Sequence, residues 1–189
     1  NAETPTSSLW ALDLDPKNAT RLSQEGAYSV ASFSVSDDGK WIGFRGGSTK
    51  RYERNITQEG LYSDLYLIDV ASSQIERLTE NVEVGESGPS FSPDGRWIAY
   101  SAPDNIQRYS MTNGRVYIRA VADRGKPFRK LDGGFDGDLS IGFWSKDGRT
   151  IYFNEGIKAT NQIVSLDVRY NTVRPLTVET ASVGIEEDA

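Results

Sequence analysis

The chain has 189 residues, 37% hydrophobic and 25% charged, the balance of a globular protein with a core. A net charge of -6 leaves no basic surface for a phosphate backbone, so no nucleic acid is expected as a partner. The sequence holds neither cysteine nor histidine, which excludes disulfides, thiolate metal sites, a cysteine nucleophile and the usual Ser-His-Asp triad.

Residues 1–8 are expected to form an N-terminal extension. The opening NAETPTSSLW lacks the basic and apolar regions of a signal peptide, so any export signal is expected upstream or already removed. No apolar run approaches the roughly 20 residues that cross a bilayer, and no membrane span is expected. From Ser8 the chain reads SLWALDLDPKNATRLS; a different phrase, FSVSDDGKWIGF, follows from Phe33. The first kind then returns as DLYLIDVASSQIERLT from Asp64, RVYIRAVADRGKPFRKL from Arg115 and QIVSLDVRYNTVRPLT from Gln162. The second kind returns between them, as FSPDGRWIAY from Phe91 and FWSKDGRTIYF from Phe143, with Asp-Gly pairs at intervals of roughly 50 to 56 residues.

Each phrase has the physics of an antiparallel hairpin. In FSPDGRWIAY and its kin, an Asp-Gly turn separates two short runs rich in aromatic and β-branched residues, and glycine supplies the positive φ that the turn needs. Trp41, Trp97 and Thr150 are expected to open a strand. In the other phrase Leu65, Leu67 and Asp69 alternate with Tyr66, Ile68 and Val70, the period of a strand. A polar turn follows, then a short strand ending at Arg77-Leu78-Thr79 or at Arg21-Leu22-Ser23, Lys130-Leu131 and Pro175-Leu176-Thr177.

Two hairpins per period make a four-stranded sheet, and such sheets repeated at this period are the blades of a β-propeller. The expected fold is therefore all-β: a partial blade over 9–23, blades over about 28–80, 86–132 and 138–177, and an acidic tail or start of a further blade over 178–189. About three and a half blades fall short of the typical range of about 4–8, so the ring is expected to be incomplete. A fragment, one chain of a nicked protein, or a second chain completing the propeller would each account for this.

The phrases FSPDGRWIAYS, from Phe91 to Ser101, and DLYLIDV...RLT, from Asp64 to Thr79, resemble the Asp-Gly propeller repeats shared by the translocation protein TolB and the prolyl oligopeptidase family of serine peptidases. The stretch from Phe135 to Val168 is similar to bacterial members of that peptidase family resembling dipeptidyl and acylaminoacyl peptidases. The resemblance implies an α/β-hydrolase domain carrying the catalytic Ser, Asp and His, with a propeller that restricts access to short peptides. The compartment stays open, with the bacterial periplasm or secretion favoured over the cytoplasm. No catalytic residue transfers to this chain, which has no Gly-x-Ser-x-Gly elbow and no histidine. The glutamate pair that holds the substrate amino terminus in dipeptidyl peptidases has no counterpart either, since Glu186-Glu187 stands in the tail. The other reading is a non-catalytic TolB-like propeller binding a peptide or protein partner in the cell envelope.

Two segments interrupt the repeat and are the candidate contact sites, because loops inserted between regular elements carry function. The stretch Gly46 to Ser63 offers Arg51, Glu53 and Arg54, and the stretch Pro103 to Arg115 offers Arg108 and Tyr109, for contact with a peptide substrate or a neighbouring domain. The repeated aspartates are read as turn and strand-end residues rather than as calcium ligands or acid-base pairs, because each turn contributes a single carboxylate. The tryptophans Trp10, Trp41, Trp97 and Trp144 are read as fillers between blades. The glycines of GGFDGD, from Gly133 to Asp138, lack the Lys-Ser/Thr of a phosphate loop. No cofactor and no metal is expected.

Overall fold

The computed structural model describes residues 6–47, 63–80, 86–104, 108, 111–157 and 159–184, which fold as two compact units, residues 1–89 and 90–189. In the first unit, β1 (Trp10–Leu14) pairs antiparallel with β2 (Lys17–Arg21). A four-stranded antiparallel sheet follows, in the order β3 (Ser29–Val35), β4 (Trp41–Gly47), β5 (Asp64–Asp69) and β6 (Gln74–Arg77). The second unit holds two such sheets. One runs β7 (Ser90–Phe91), β8 (Trp97–Pro103), β9 (Gly114–Ala120), β10 (Arg129–Leu131), and the other β11 (Phe143–Trp144), β12 (Thr150–Ile157), β13 (Thr160–Asp167), β14 (Thr172–Pro175). These are the meandering blades that the repeat predicts. No helix among the described residues is long and apolar enough to cross a membrane.

The Asp-Gly turn is larger than a two-residue hairpin loop. Ser36 and Trp41 close it, the Ser36 N–H donating to the Trp41 carbonyl at 2.9 Å, and the Gly39 N–H folds back on the Ser36 carbonyl at 2.8 Å. Gly39 has φ 69°, a region costly for any residue with a Cβ. The Ser36 hydroxyl donates to Asp38 Oδ1 at 2.7 Å and accepts the Trp41 N–H at 3.0 Å, while the same carboxylate oxygen accepts the Lys40 N–H at 3.1 Å. Ser92, Asp94, Arg96 and Trp97 repeat this arrangement, as do Ser145, Asp147, Arg149 and Thr150. The local code is thus Ser-x-Asp-Gly followed by a cation, and it places the next strand's first residue directly after the turn.

In three of the four repeats the second hairpin has its own recurring contact. The Leu65 N–H donates to the Thr79 hydroxyl at 2.9 Å, and Leu9 to Ser23 and Ile163 to Thr177 do the same at 3.0 and 2.9 Å. One hydroxyl after the last strand therefore satisfies an N–H near the start of the preceding hairpin strand, where an orphaned donor would cost about 1–3 kcal/mol if buried.

Cross-strand partners share a face, so register decides which residues enter the core. In the second unit Ala99 opposite Ile118, and Val116 opposite Leu131, meet Ile151 opposite Leu166, and Phe153 opposite Val164, forming one apolar layer with Leu139 and Trp144. Trp144 also donates its ring N–H to the Ser90 hydroxyl at 3.0 Å. In the first unit Leu9, Tyr28, Phe44 and Ile68 form the core, with Leu22, Val30, Ile42, Tyr66 and Ile75 against it. Trp10 departs from the expectation of a buried filler: it is 55% exposed, because it points away from the Leu9 side of β1, where no sheet lies over it among the described residues.

The glycine turns give a graded test. Gly39→Ala would add a Cβ with no atom within 4 Å, so it should cost only the left-handed backbone penalty of about 1–2 kcal/mol. Gly148→Ala would place a Cβ 2.7 to 2.9 Å from the Asp94 carboxylate, and chemical denaturation should show a clearly larger loss of stability than for Gly39→Ala.

Candidate functional site

Of the residues expected to make contacts, Arg51, Glu53, Arg54 and Tyr109 lie outside the described residues. Arg108 is exposed, and its carbonyl accepts the Met111 N–H at 2.7 Å. Arg108 belongs to the segment between β8 and β9, which leaves the sheet at the end opposite the Asp-Gly turn. Pro103 and Gly114 are the last ladder pair, and the Asp104 N–H extends the pairing to the Asn113 carbonyl at 3.2 Å. The mouth of the loop is therefore closed by the continuing ladder.

Charge locks this mouth. In the first unit the equivalent strand ends carry Asp64 and Arg77, paired at 2.7 Å. In the second unit Arg115 stands in the place of Asp64 and Lys130 in that of Arg77, which would leave two cations facing each other. Asp104 resolves the conflict: it accepts Lys130 Nζ at 3.0 Å and lies 3.9 Å from Arg115 Nε. Lys130 also lies 3.7 Å from Asp132. The hydrogen bond to Asp104 raises the Lys130 pKa. Asp132 is held below the usual carboxylate range by the Gly134 N–H, against some burial, with help from Asn171 and Lys130.

The connector from β10 to β11 is fastened to the same end. Arg115 Nη1 donates to the carbonyls of Gly137 and Gly114 at 2.7 and 3.0 Å, and Asp138 accepts the Gly114 N–H. The Asp138 N–H in turn donates to Glu155 Oε1 at 3.0 Å. Burial raises the Glu155 pKa, opposed by that hydrogen bond. Asn171, at φ 52°, accepts the N–H groups of Asp132 and Gly133 at 3.0 Å each. Asp104, Arg115, Lys130, Asp132, Asp138 and Glu155 thus gather at one end of the second unit, where β8 ends and β9 begins.

Sequence reasoning found the segment and missed its anchors. The available signal was the exchange of acid for base at Arg115 relative to Asp64, legible only once the strand ends are aligned. The carboxylates here are engaged by cations or backbone N–H groups and have no imidazole to work with, since the chain has none. The cluster can orient a charged group; it offers no nucleophile with a base.

No protein-family model matches the chain. It is 28% identical over 152 residues to dipeptidyl-peptidase 5 of Arthroderma benhamiae, covering 74% of this chain and 20% of that protein. The chain thus spans about a fifth of the length of the curated relatives it matches. Among solved structures, TolB from Acinetobacter baumannii superposes with a TM-score of 0.58 at 20% identity, over 93% of this chain and 38% of that one. A puromycin hydrolase gives 0.64 at 17% identity over 92% of this chain and 28% of that one. An oligogalacturonate lyase in complex with manganese gives 0.68 at 16% identity over 90% and 48%. At such identities the structural likeness establishes the propeller fold, which carries several chemistries. The sequence likeness is to dipeptidyl peptidases, matching the peptidase-propeller resemblance of the repeats.

Asp104→Asn should loosen the loop mouth without unfolding the unit. The pairs are partly exposed, so the expected loss is at most about 1 kcal/mol, with faster amide exchange at Asp104 and Gly114 as the local readout. The raised Lys130 pKa means the wild-type advantage should be constant through neutral pH and lose its Lys130 share as pH climbs past the ordinary lysine value of 10.5, leaving the longer contact to Arg115. An advantage that vanished between pH 6 and 9 would contradict this assignment.

Proposed function

We propose that the chain is the substrate-gating propeller segment of a prolyl oligopeptidase-type serine peptidase that hydrolyses short peptides, with the α/β-hydrolase catalytic domain in polypeptide outside these residues. The observation that carries the reading is the likeness to dipeptidyl-peptidase 5 over 74% of this chain but only 20% of that protein. The absence of histidine from the chain fits the same division of labour, with binding here and chemistry elsewhere. A location in the bacterial periplasm or outside the cell belongs to this reading.

In this scheme the segments between the inner and outer hairpins, carrying Arg51, Glu53 and Arg54 in one unit and Arg108 and Tyr109 in the other, meet the peptide or the hydrolase domain. Arginine suits the task because its planar guanidinium binds a carboxylate through two parallel hydrogen bonds. Asp104 and its cations fix the strand ends from which the Arg108 segment departs.

Fluorophosphonate labelling of the complete natural protein, resolved on a denaturing gel, tests the proposal because the probe marks activated serines. A labelled catalytic region in the same polypeptide or a co-purifying one is expected. A complete assembly that takes no label would transfer the chain to the non-catalytic, TolB-like class. In the active protein, Arg108→Ala should raise KM for short peptides a few fold with kcat unchanged, as expected for a contact made equally in ground and transition states.

A further inference from the structure

A clasp recurs where outer hairpins begin, two residues before Leu9, Val116 and Ile163. The Ser7 N–H donates to the Ser29 hydroxyl at 3.0 Å, and the Ser7 carbonyl accepts the N–H of the next residue, Val30, at 2.9 Å. Asn161 repeats both bonds with Ser182 and Val183, at 3.1 and 2.8 Å. Gly114 makes the same pair with the Asp138 carboxylate and with the Leu139 N–H, the latter at 3.0 Å. Two of these clasps close on a neutral hydroxyl. The third closes on a carboxylate, a group basic enough to draw a proton away from its donor.

The residue ahead of this third clasp is Asn113, and Asn113-Gly114 is the only Asn-Gly pair in the chain. Asparagine before glycine is open to attack from its own backbone, because the following amide nitrogen can reach the carboxamide carbon and close a five-membered ring, and glycine has no side chain to obstruct the approach. Position 114 admits no side chain easily, since a Cβ there would stand 3.2 Å from the Leu139 carbonyl. The Asn113 side chain makes no hydrogen bond to another described residue, so its carboxamide can turn, and it is half-buried, within reach of water. Asn171 differs, its carboxamide oxygen being held by the N–H groups of Asp132 and Gly133.

We infer that Asn113-Gly114 is a self-modification site, at which the Asp138 carboxylate serves as base for conversion of the asparagine to aspartate and isoaspartate. Asp138 takes the Gly114 N–H proton as the nitrogen bonds to Asn113 Cγ, then returns it to the carboxamide nitrogen, which leaves as ammonia. Water opens the resulting cyclic imide at either carbonyl. One opening leaves aspartate in a main chain of ordinary length; the other leaves isoaspartate and a main chain longer by one methylene. The longer chain displaces the Asn113 carbonyl from the Asp104 N–H, now 3.2 Å from it, so the change loosens the base of the Arg108 segment in one direction only. The site is independent of the peptidase reading.

The complete protein is incubated at pH 6 and 37 °C and digested with trypsin, which releases YSMTNGR, residues 109–115, for mass spectrometry. The synthetic peptide of that sequence is the reference, and mild acid is chosen because hydroxide, the base that serves the free peptide, is scarce there. The protein should deamidate about tenfold faster than the peptide, with a rate that falls far less steeply as pH drops from 7 to 6. Asp138→Asn keeps an acceptor for the Gly114 N–H and removes the base. It should slow the reaction by about tenfold and restore the peptide's pH dependence, with an unchanged circular dichroism spectrum. Should the spectrum change, the comparison of wild-type protein with peptide decides alone. Deamidation no faster in the protein than in the peptide, or a rate that Asp138→Asn leaves as it was in an unaltered fold, overturns the inference.

Discussion

Each four-stranded sheet depends on the serine hydroxyl that stands two residues before the aspartate of the Asp-Gly turn. Ser92 is completely buried, donates a hydrogen bond to Asp94, and accepts the N–H of Trp97 across the turn. With both ends of the turn tied to one oxygen, β7 and β8 cannot slide past each other by a residue, a slip that would send Ile98 and its neighbours to the wrong face. The aspartate is held as an anion in return. The Lys40 side chain, the Ser36 hydroxyl and the Lys40 N–H lower the Asp38 pKa to about 2. Because the folded value lies below the ordinary 3.8, this support is fully present above that value and fades as pH falls towards 2. Asp147 is lowered for the same reasons, led by the Ser145 hydroxyl.

Register fixed at the turn is then passed outward. Trp41 opposite Asp69 sets Ile42 against Ile68 and Phe44 against Tyr66, and the Tyr66 and Phe44 rings stack with centroids 5.0 Å apart. The outer hairpin needs its own anchor, and the hydroxyls of Ser23, Thr79 and Thr177 provide it. Asp132 stands at that place in the remaining repeat, beside Lys130, with its own N–H taken by Asn171. The repeat that abandons the hydroxyl is also the one whose strand ends exchange Asp64 for Arg115.

What could be read from the sequence was what is local. The Asp-Gly turns and the strand starts at Trp41, Trp97 and Thr150 follow from glycine's φ and from short runs of alternating residues, and they stand where expected. The serine's role was hidden because its partners are two and five residues away, and nothing in composition marks them. Letter matching also misaligned the phrases at their first residue: Phe33, Phe143 and Phe91 lie opposite Phe44, Tyr152 and Ile98, the fourth, third and second residues of the strand that follows each turn. The distance from phenylalanine to turn varies between repeats, and only hydrogen bonding reveals the true correspondence of Val35, Phe91 and Trp144. Trp10 was legible as a strand residue, not as an exposed one, since burial depends on a neighbouring sheet. The candidate loops were legible as interruptions of the period, whereas Asp104, Arg115 and Lys130 meet only after folding.

The arrangement explains why binding residues would accumulate in those interruptions. Every strand position facing a neighbour within the second unit is committed to packing: Ile151, Val164 and Leu166 are buried to within a few per cent, and a polar substitution there would cost several kilocalories with no gain in recognition. The Asp-Gly ends are equally constrained, because each carboxylate is already engaged by a hydroxyl and a backbone N–H. The opposite end is free to vary: between β8 and β9 a ladder pair and an ion pair close the loop at its base and insulate the sheet from whatever the loop carries. Asp104 shows the principle at work: by neutralising Arg115 and Lys130 at the mouth, it lets the segment bearing Arg108 project a cation from a fixed base without disturbing the register beneath.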